Sequence, residues 1–124
     1  MSTVFFVAIV VTTIVTVDDY ILDVLMRDLI GHDRAPSAFV VYVFLWRATA
    51  GTRPRHVRVS HNSIAGETGL SRSSVQAALR HLTKRRLVRS ERETPTSTPV
   101  HFLLRPWRSA RVPRAGPAAS RRRT

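Results

Sequence analysis

The sequence contains no cysteine. This absence excludes a disulfide framework and a zinc site built on thiolates, and it is typical of a protein of the reducing cytoplasm, which is the predicted location. The histidines are scattered without the spacing of metal ligands, so no metal site is predicted. They are His32, His56, His61, His81 and His101.

Motifs of common catalytic sites are also absent. The chain has no nucleophile elbow, no glycine-rich loop that could cradle phosphates and no paired carboxylates in a plausible pocket. An enzyme is therefore not expected, and no cofactor is predicted.

Positive charge is missing from the beginning of the chain, where no lysine or arginine precedes Arg27. Residues 4–17 form an apolar run that as a helix would span about 21 Å, against roughly 30 Å of bilayer core, and a secretory signal would need a basic start. Its β-branched residues favour a strand or a sticky extension. Two other hypotheses stay open: translation begins near Val17, or the run anchors the chain to a membrane. No membrane partner is predicted.

Basic residues dominate what is present. The 124 residues include 20 Lys and Arg against 8 Asp and Glu, a net charge of +12. Five of the acids precede Arg34, and from Arg34 onward 19 bases stand against three acids. One domain with an apolar core and a polyanionic partner is therefore expected.

Hydrophobic spacing predicts an α+β protein that is mainly helical. Asp18 and Asp19 are good helix-start residues, and residues 19–30 have apolar positions at helical spacing up to Gly31. Residues 18–36 are predicted to contain this amphipathic helix and a linker. The helix either covers the core of its own subunit or forms the interface of a homodimer. Pro36 opens a nearly all-apolar core helix, and a short strand is predicted at residues 56–59.

Residues 62–88 predict two helices joined by a tight turn. Gly69 suits the turn because a residue without Cβ adopts positive φ at little cost, and Ala65 is small enough for the helices to cross closely. Ser60 and Ser71 are placed to cap the two helices. The second helix has one apolar stripe of Val75, Ala78, Leu79 and Leu82.

The opposite side of that second helix is polar and basic, as suits a helix in the major groove of DNA. Arginine and glutamine can bind guanine and adenine edges, and a helix N-terminus attracts phosphate. The residues predicted to contact bases are Arg72, Ser73, Gln76 and Arg80. Those predicted to contact phosphates are Ser71, Ser74, Lys84, Arg85, Arg89 and Arg92.

A β-hairpin is predicted next, with strands at residues 87–92 and 100–104 and a turn between them. It would lie beside the second helix and complete a domain over residues 37–106. Residues 107–124 combine proline, glycine and arginine without any acid, and a basic disordered tail is expected there.

Residues 64–82 resemble the helix-turn-helix of bacterial winged-helix transcriptional regulators, with Ala65, Gly69, Leu70 and Val75 at the expected offsets. Residues 69–88 look most like the recognition helix of GntR-like and related regulators. The resemblance implies a winged helix of three core helices and a hairpin wing that binds specific double-stranded DNA. The hairpin lacks the glycine-rich turn of the GntR pattern and no effector domain follows it, so no small-molecule effector is predicted.

Two other functions fit the sequence less well. A winged-helix module that binds protein, as in replication initiation, predicts an apolar or acidic outer helix face, which Gln76, Arg80 and Lys84 contradict. Proteins that bind single-stranded RNA need aromatic side chains on which the bases can stack, and the few aromatic residues here are expected in the core. Sequence-specific binding to duplex DNA, as a transcriptional regulator, is therefore the predicted function.

Overall fold

The computed structural model describes residues 14–111 of the chain, which form five helices and three strands. Helix α1 consists of two π-helical segments, Ile21–Leu25 and Arg27–His32. The other helices are α2 (Pro36–Ala48), α3 (His61–Thr68), α4 (Arg72–Lys84) and α5 (Pro106–Arg111), and the strands are β1 (His56–Arg58), β2 (Val88–Glu91) and β3 (Val100–Leu103). The predicted α+β class is confirmed.

Helix α1 packs along the core with wide turns. Its backbone makes hydrogen bonds five residues apart, such as that from the Asp33 amide to the Asp28 carbonyl at 2.8 Å. Ile21, Leu25 and Leu29 are buried in the core of the same chain. The helix runs through Gly31 to His32, so the prediction that it ends at Gly31 was wrong. A glycine can remain inside a helix when tertiary packing holds the turns on either side.

Helix α2 is the central helix of the core. Proline at its first turn suits a position where no amide donor is needed. Val40 and Val43 are partly exposed, so the helix is less completely covered than its apolar sequence suggests. The buried positions are Ala38, Val41, Tyr42, Leu45 and Trp46.

Helices α3 and α4 follow the predicted pattern of two helices and a turn. The Ser60 hydroxyl accepts a hydrogen bond from the Ser63 amide at 3.0 Å and caps α3. Gly69 ends α3 in the left-handed region with φ of 82°. Ser71 then caps α4. Each feature depends on residues close together in sequence, and the predicted positions of turn and caps are confirmed.

The three strands form one antiparallel sheet in the order β1-β3-β2. Val57 pairs with His101 on one side of β3, and Ser90 pairs with His101 on the other. The strand at residues 56–59 and the hairpin are therefore present, with β2 ending at Glu91 and β3 at Leu103. His101 and Leu103 are the buried residues of β3, whereas Val100 and Phe102 are half-buried.

Helix α5 corrects one prediction. Residues 107–111 belong to a helix rather than to a disordered tail, and the Trp107 ring stacks on Tyr20 with 4.5 Å between ring centroids. Helix α1 starts after Asp18, as predicted, and the Ile21 amide donates a hydrogen bond to the Asp18 carbonyl at 3.0 Å. The Asp18 carboxylate accepts hydrogen bonds from Trp107 Nε1 at 2.9 Å and Arg108 Nη2 at 2.6 Å. Aromatic burial and the ion pair hold α5 on the domain. The rest of the predicted tail lies outside the described residues.

Only the end of the predicted apolar run, residues 14–17, falls within the described part of the chain. These residues have no regular secondary structure, so the predicted strand is not found at these positions. Val15 and Val17 pack against the core, and Trp46 Nε1 donates a hydrogen bond to the Thr16 carbonyl at 2.8 Å. Between residues 14 and 111, no helix has the length and apolar character needed to cross a membrane.

Candidate nucleic-acid interface

Helix α4 has one buried side and one exposed side. Val75, Ala78, Leu79 and Leu82 face the core, as their spacing predicts. At about 100° per residue, the side chains between these positions must point away from it. The core thus determines which residues of α4 face outward.

The four residues predicted to contact bases lie together on this outward side. Arg72, Ser73 and Arg80 are exposed, and Gln76 is half-buried. Within the described part of the chain, the guanidinium groups of Arg72 and Arg80 form no ion pair, so both are available to a ligand.

Ser71 and Ser74 hold the first turn of α4 in place. The Ser71 hydroxyl accepts a hydrogen bond from the Ser74 amide at 3.1 Å and donates one to the Ser74 hydroxyl at 3.0 Å. Both hydroxyls have partners inside the protein. Contact with a phosphate would therefore involve the amides of the first turn or a shared hydroxyl.

At the other end of α4, Lys84 is exposed, but Arg85 is bound to the protein. Arg85 Nη1 lies 3.0 Å from Asp33 Oδ2, and the same carboxylate oxygen lies 2.7 Å from His81 Nε2. Hydrogen bonds from His32 and His81 hold the pKa of Asp33 below its usual range. A phosphate contact by Arg85, as predicted, would have to compete with this ion pair.

The two predicted phosphate-binding arginines of the hairpin are also partly engaged. The Arg89 guanidinium lies over the Phe102 ring, 4.1 Å from its centroid, and pairs with Glu91. Arg92 Nη1 donates hydrogen bonds to the carbonyls of Pro95 at 3.2 Å and Ser97 at 3.0 Å, which orders the hairpin turn. Each guanidinium has five N–H donors, so both keep donors for a further ligand.

Between α4 and the hairpin lies a cleft of about 540 Å³, which we call the helix-hairpin cleft. Two predicted base contacts, Gln76 and Arg80, form part of its wall, as does Arg92. The full lining is His61, Gln76, Leu79, Arg80, Thr83, Ser90, Glu91, Arg92, Pro99 and His101.

The part of this cleft that comes from His61, Ser90 and His101 was not predicted from the sequence. His101 is 1% exposed, its Nδ1 lies 2.7 Å from the Ser90 hydroxyl, and its ring stacks on His61 with 6.2 Å between centroids. Burial lowers the pKa of His101 to about 4, helped by charges at His61 and Arg92 and opposed by the Val59 backbone. His101 was not recognised because the alternation of Val100, Phe102 and Leu104 predicts that their face of β3 is the buried one, whereas His101 lies on the opposite face.

Comparison of the chain with protein-family models, with curated proteins and with solved structures found no match in any of the three.

Proposed function

We propose that this protein binds double-stranded DNA in a sequence-specific manner, as a transcriptional regulator with a winged-helix fold. Helix α4 would enter the major groove, and the hairpin of β2 and β3 would act as the wing on the DNA backbone. Three features support the fold: the turn at Gly69 between α3 and α4, the packing of both helices on α2, and the hairpin next to α4.

The observation that carries the proposal is the composition of α4. The helix contains no acidic residue, and its apolar side chains face the core. Its outward side therefore presents only hydrogen-bonding, basic and small side chains to a partner. They are Arg72, Ser73, Gln76, Ala77, Arg80 and Lys84.

This surface fits a B-DNA groove in both size and chemistry. The major groove is about 12 Å wide and admits one helix, and arginine and glutamine can each form two hydrogen bonds to a base edge. Ala77 leaves room for close approach. Because Arg72 and Arg80 have no carboxylate partner within residues 14–111, binding would not first require an ion pair to break.

Anchoring at the ends of α4 would orient the helix in the groove. Ser71 caps its first turn, and Asp33 binds His81 and Arg85 near its last turn. A reading helix with fixed ends loses little freedom on binding, and this preorganisation favours both affinity and specificity.

The proposal is tested first with the full chain and a labelled random-sequence duplex, by fluorescence anisotropy at several salt concentrations. Micromolar or tighter binding that weakens steeply with salt is expected, because phosphate contacts release counterions. No binding at low salt would contradict the proposal. Selection from a random duplex pool should then enrich a defined site.

Arg80→Ala tests the placement of α4, with Arg27→Ala as a control that removes the same charge from α1. On the selected site, Arg80→Ala should weaken binding by about 1–3 kcal/mol if Arg80 contacts a guanine. A loss that is equal on all sequences would assign Arg80 to a phosphate. Equal effects of the two variants would contradict the placement of α4 in the groove.

A second candidate, a module that binds protein, is favoured by one observation. Leu22, Met26 and Ile30 are 51%, 38% and 40% exposed and recur every four residues along α1. We propose a second copy of this chain as the partner, so that a dimer would place two α4 helices on one duplex. Sedimentation equilibrium should show a dimer that Met26→Glu dissociates. A monomer at all concentrations would contradict this interface.

A further inference from the structure

The helix-hairpin cleft is large enough to hold a small molecule. Its volume of about 540 Å³ lies within the roughly 300–1,000 Å³ range of small-molecule sites. Residues from α3, α4, β2 and β3 meet there, so the site exists only in the folded domain. Leu79 and Pro99 supply apolar surface, and the hydroxyls of Thr83 and Ser90 supply polar groups.

One polar atom at this cleft has no partner within the described residues. His101 lines the cleft and is almost fully buried, yet its Nε2 forms no hydrogen bond there. When the Ser90 hydroxyl donates to Nδ1, the neutral ring carries its proton on Nε2. This N–H is buried at the wall of the cleft, and the Val59 backbone is the polar group that opposes the lowering of the His101 pKa.

The charges around the cleft favour an anion. Arg80 and Arg92 line it. The pKa of His61 is lowered chiefly by burial, then by the charge of Arg92 and then by the charge of Arg72. The one acidic residue of the lining, Glu91, is paired with Arg89. The positive charge is therefore not cancelled within the lining, and guanidinium groups match phosphate oxygens in geometry.

We propose that the helix-hairpin cleft binds a small phosphate-bearing molecule, with Arg80 and Arg92 as donors to the phosphate oxygens. Because Gln76 and Arg80 belong both to the cleft and to the proposed DNA-binding surface, the occupant competes with DNA. Only this competition rests on the proposed function. This site lies within the same domain as the proposed DNA-binding surface.

Inorganic pyrophosphate serves as the probe, titrated at constant ionic strength into the full ¹⁵N-labelled chain. Histidine ring signals are followed by long-range ¹H–¹⁵N correlation spectra, which also show which ring nitrogen carries the proton. We expect His101 protonated on Nε2 before addition, and a saturable shift of the His101 and His61 signals. Arg92→Gln and Arg80→Gln should each weaken this binding at least about tenfold, as loss of one charge-assisted contact does.

Arg27→Gln is the matched control, since it removes the same charge outside the cleft. An unsaturable shift, or equal weakening by Arg27→Gln and Arg92→Gln, would show general attraction of anions to a basic protein and overturn the proposal. Arg80→Gln changes an exposed side chain, so the test stands even if Arg92→Gln disturbs the hairpin turn.

Addition of duplex DNA separates this proposal from the proposed function. Pyrophosphate should release the duplex from the wild-type protein at constant ionic strength, and much less from Arg92→Gln. If pyrophosphate shifts the His101 signal but no duplex binds, the ligand site is supported and the proposed DNA-binding function is wrong. If the duplex shifts the His101 signal and pyrophosphate does not, the cleft contacts DNA but does not bind a small phosphate compound, and the ligand proposal is wrong.

Discussion

The carboxylate of Asp33 lies 2.7 Å from Nε2 of His81, a residue 48 positions further along the chain. Arg85 binds the same carboxylate one turn later. Through this network, the segment that follows α1 is fastened to the end of α4. The orientation of α4, the proposed reading helix, therefore depends in part on a carboxylate that lies outside this helix.

Asp33→Asn should destabilise the domain by about 1–3 kcal/mol, because His81 and Arg85 lose a buried charged acceptor. The pKa of the Asp33 carboxyl is lowered in the folded state. Its contribution to the free energy of unfolding is therefore present above the usual pKa of 3.8 and is lost as the pH falls below that value. Urea unfolding at several pH values should show the difference from wild type shrinking below that pH. Asp19→Asn, on an exposed side chain, is the control; an equal loss in both variants would contradict the network.

Gly69→Ala should destabilise the domain by about 1 kcal/mol, because alanine is strained at the φ of 82° that the turn requires. Gly66→Ala is its counterpart inside α3, where an added Cβ meets nothing within 4 Å. This second change should stabilise the domain by about 0.5–1 kcal/mol. Thermal unfolding measures both, and shifts of the same sign would refute the assigned turn.

Val75→Asp should unfold the domain, since Val75 has no exposed surface and a charge there would be unpaired, at a cost of several kcal/mol. Ser73→Asp places the same charge two residues earlier on the exposed side of α4. It should leave the fold intact but weaken duplex binding at least about tenfold by repelling phosphates. Circular dichroism and anisotropy distinguish the two; a folded Val75→Asp protein would mean that the sides of α4 are assigned wrongly.

Trp107→Ala should cost about 2 kcal/mol, because the indole loses its stacking on Tyr20 and its hydrogen bond to Asp18. The variant should also become sensitive to protease cleavage near α5, which the ring holds on the domain. Tyr20→Phe keeps the stacked ring and is the control. Wild-type stability in Trp107→Ala would indicate that α5 does not pack.

Acid should weaken the domain through His101, whose pKa falls from 6.5 to about 4 on folding. The unfolded chain takes up a proton below pH 6.5 while the folded chain does not, so stability is full above that pH and falls between pH 6.5 and 4. His101→Phe should flatten this part of the stability curve. A variant curve parallel to that of wild type would show that another group titrates.

Features that depend on neighbours in the sequence were predicted well. The caps at Ser60 and Ser71 and the turn at Gly69 follow from backbone rules that act over a few residues. The buried stripe of α4, which includes Val75 and Leu82, follows from helical periodicity alone. These rules also predicted the outward side of α4, and hence the position of the candidate DNA-binding residues.

Features that join distant parts of the chain were missed. The pairing of Asp18 with Trp107 spans 89 positions, and composition alone suggested disorder where α5 forms. His101 was missed because alternation in a strand does not say which face meets the core when both faces carry apolar residues.

The sequence by itself determined the α+β class, the turn at Gly69 between α3 and α4, and the basic outer side of α4, because local backbone preferences and hydrophobic periodicity act within one element. Only the tertiary structure decided that Asp33 fastens α4, that Trp107 docks α5, and that His101 lines a positively charged cleft. Each of these depends on burial and charge contacts between elements, and no pattern within a single segment contains that information.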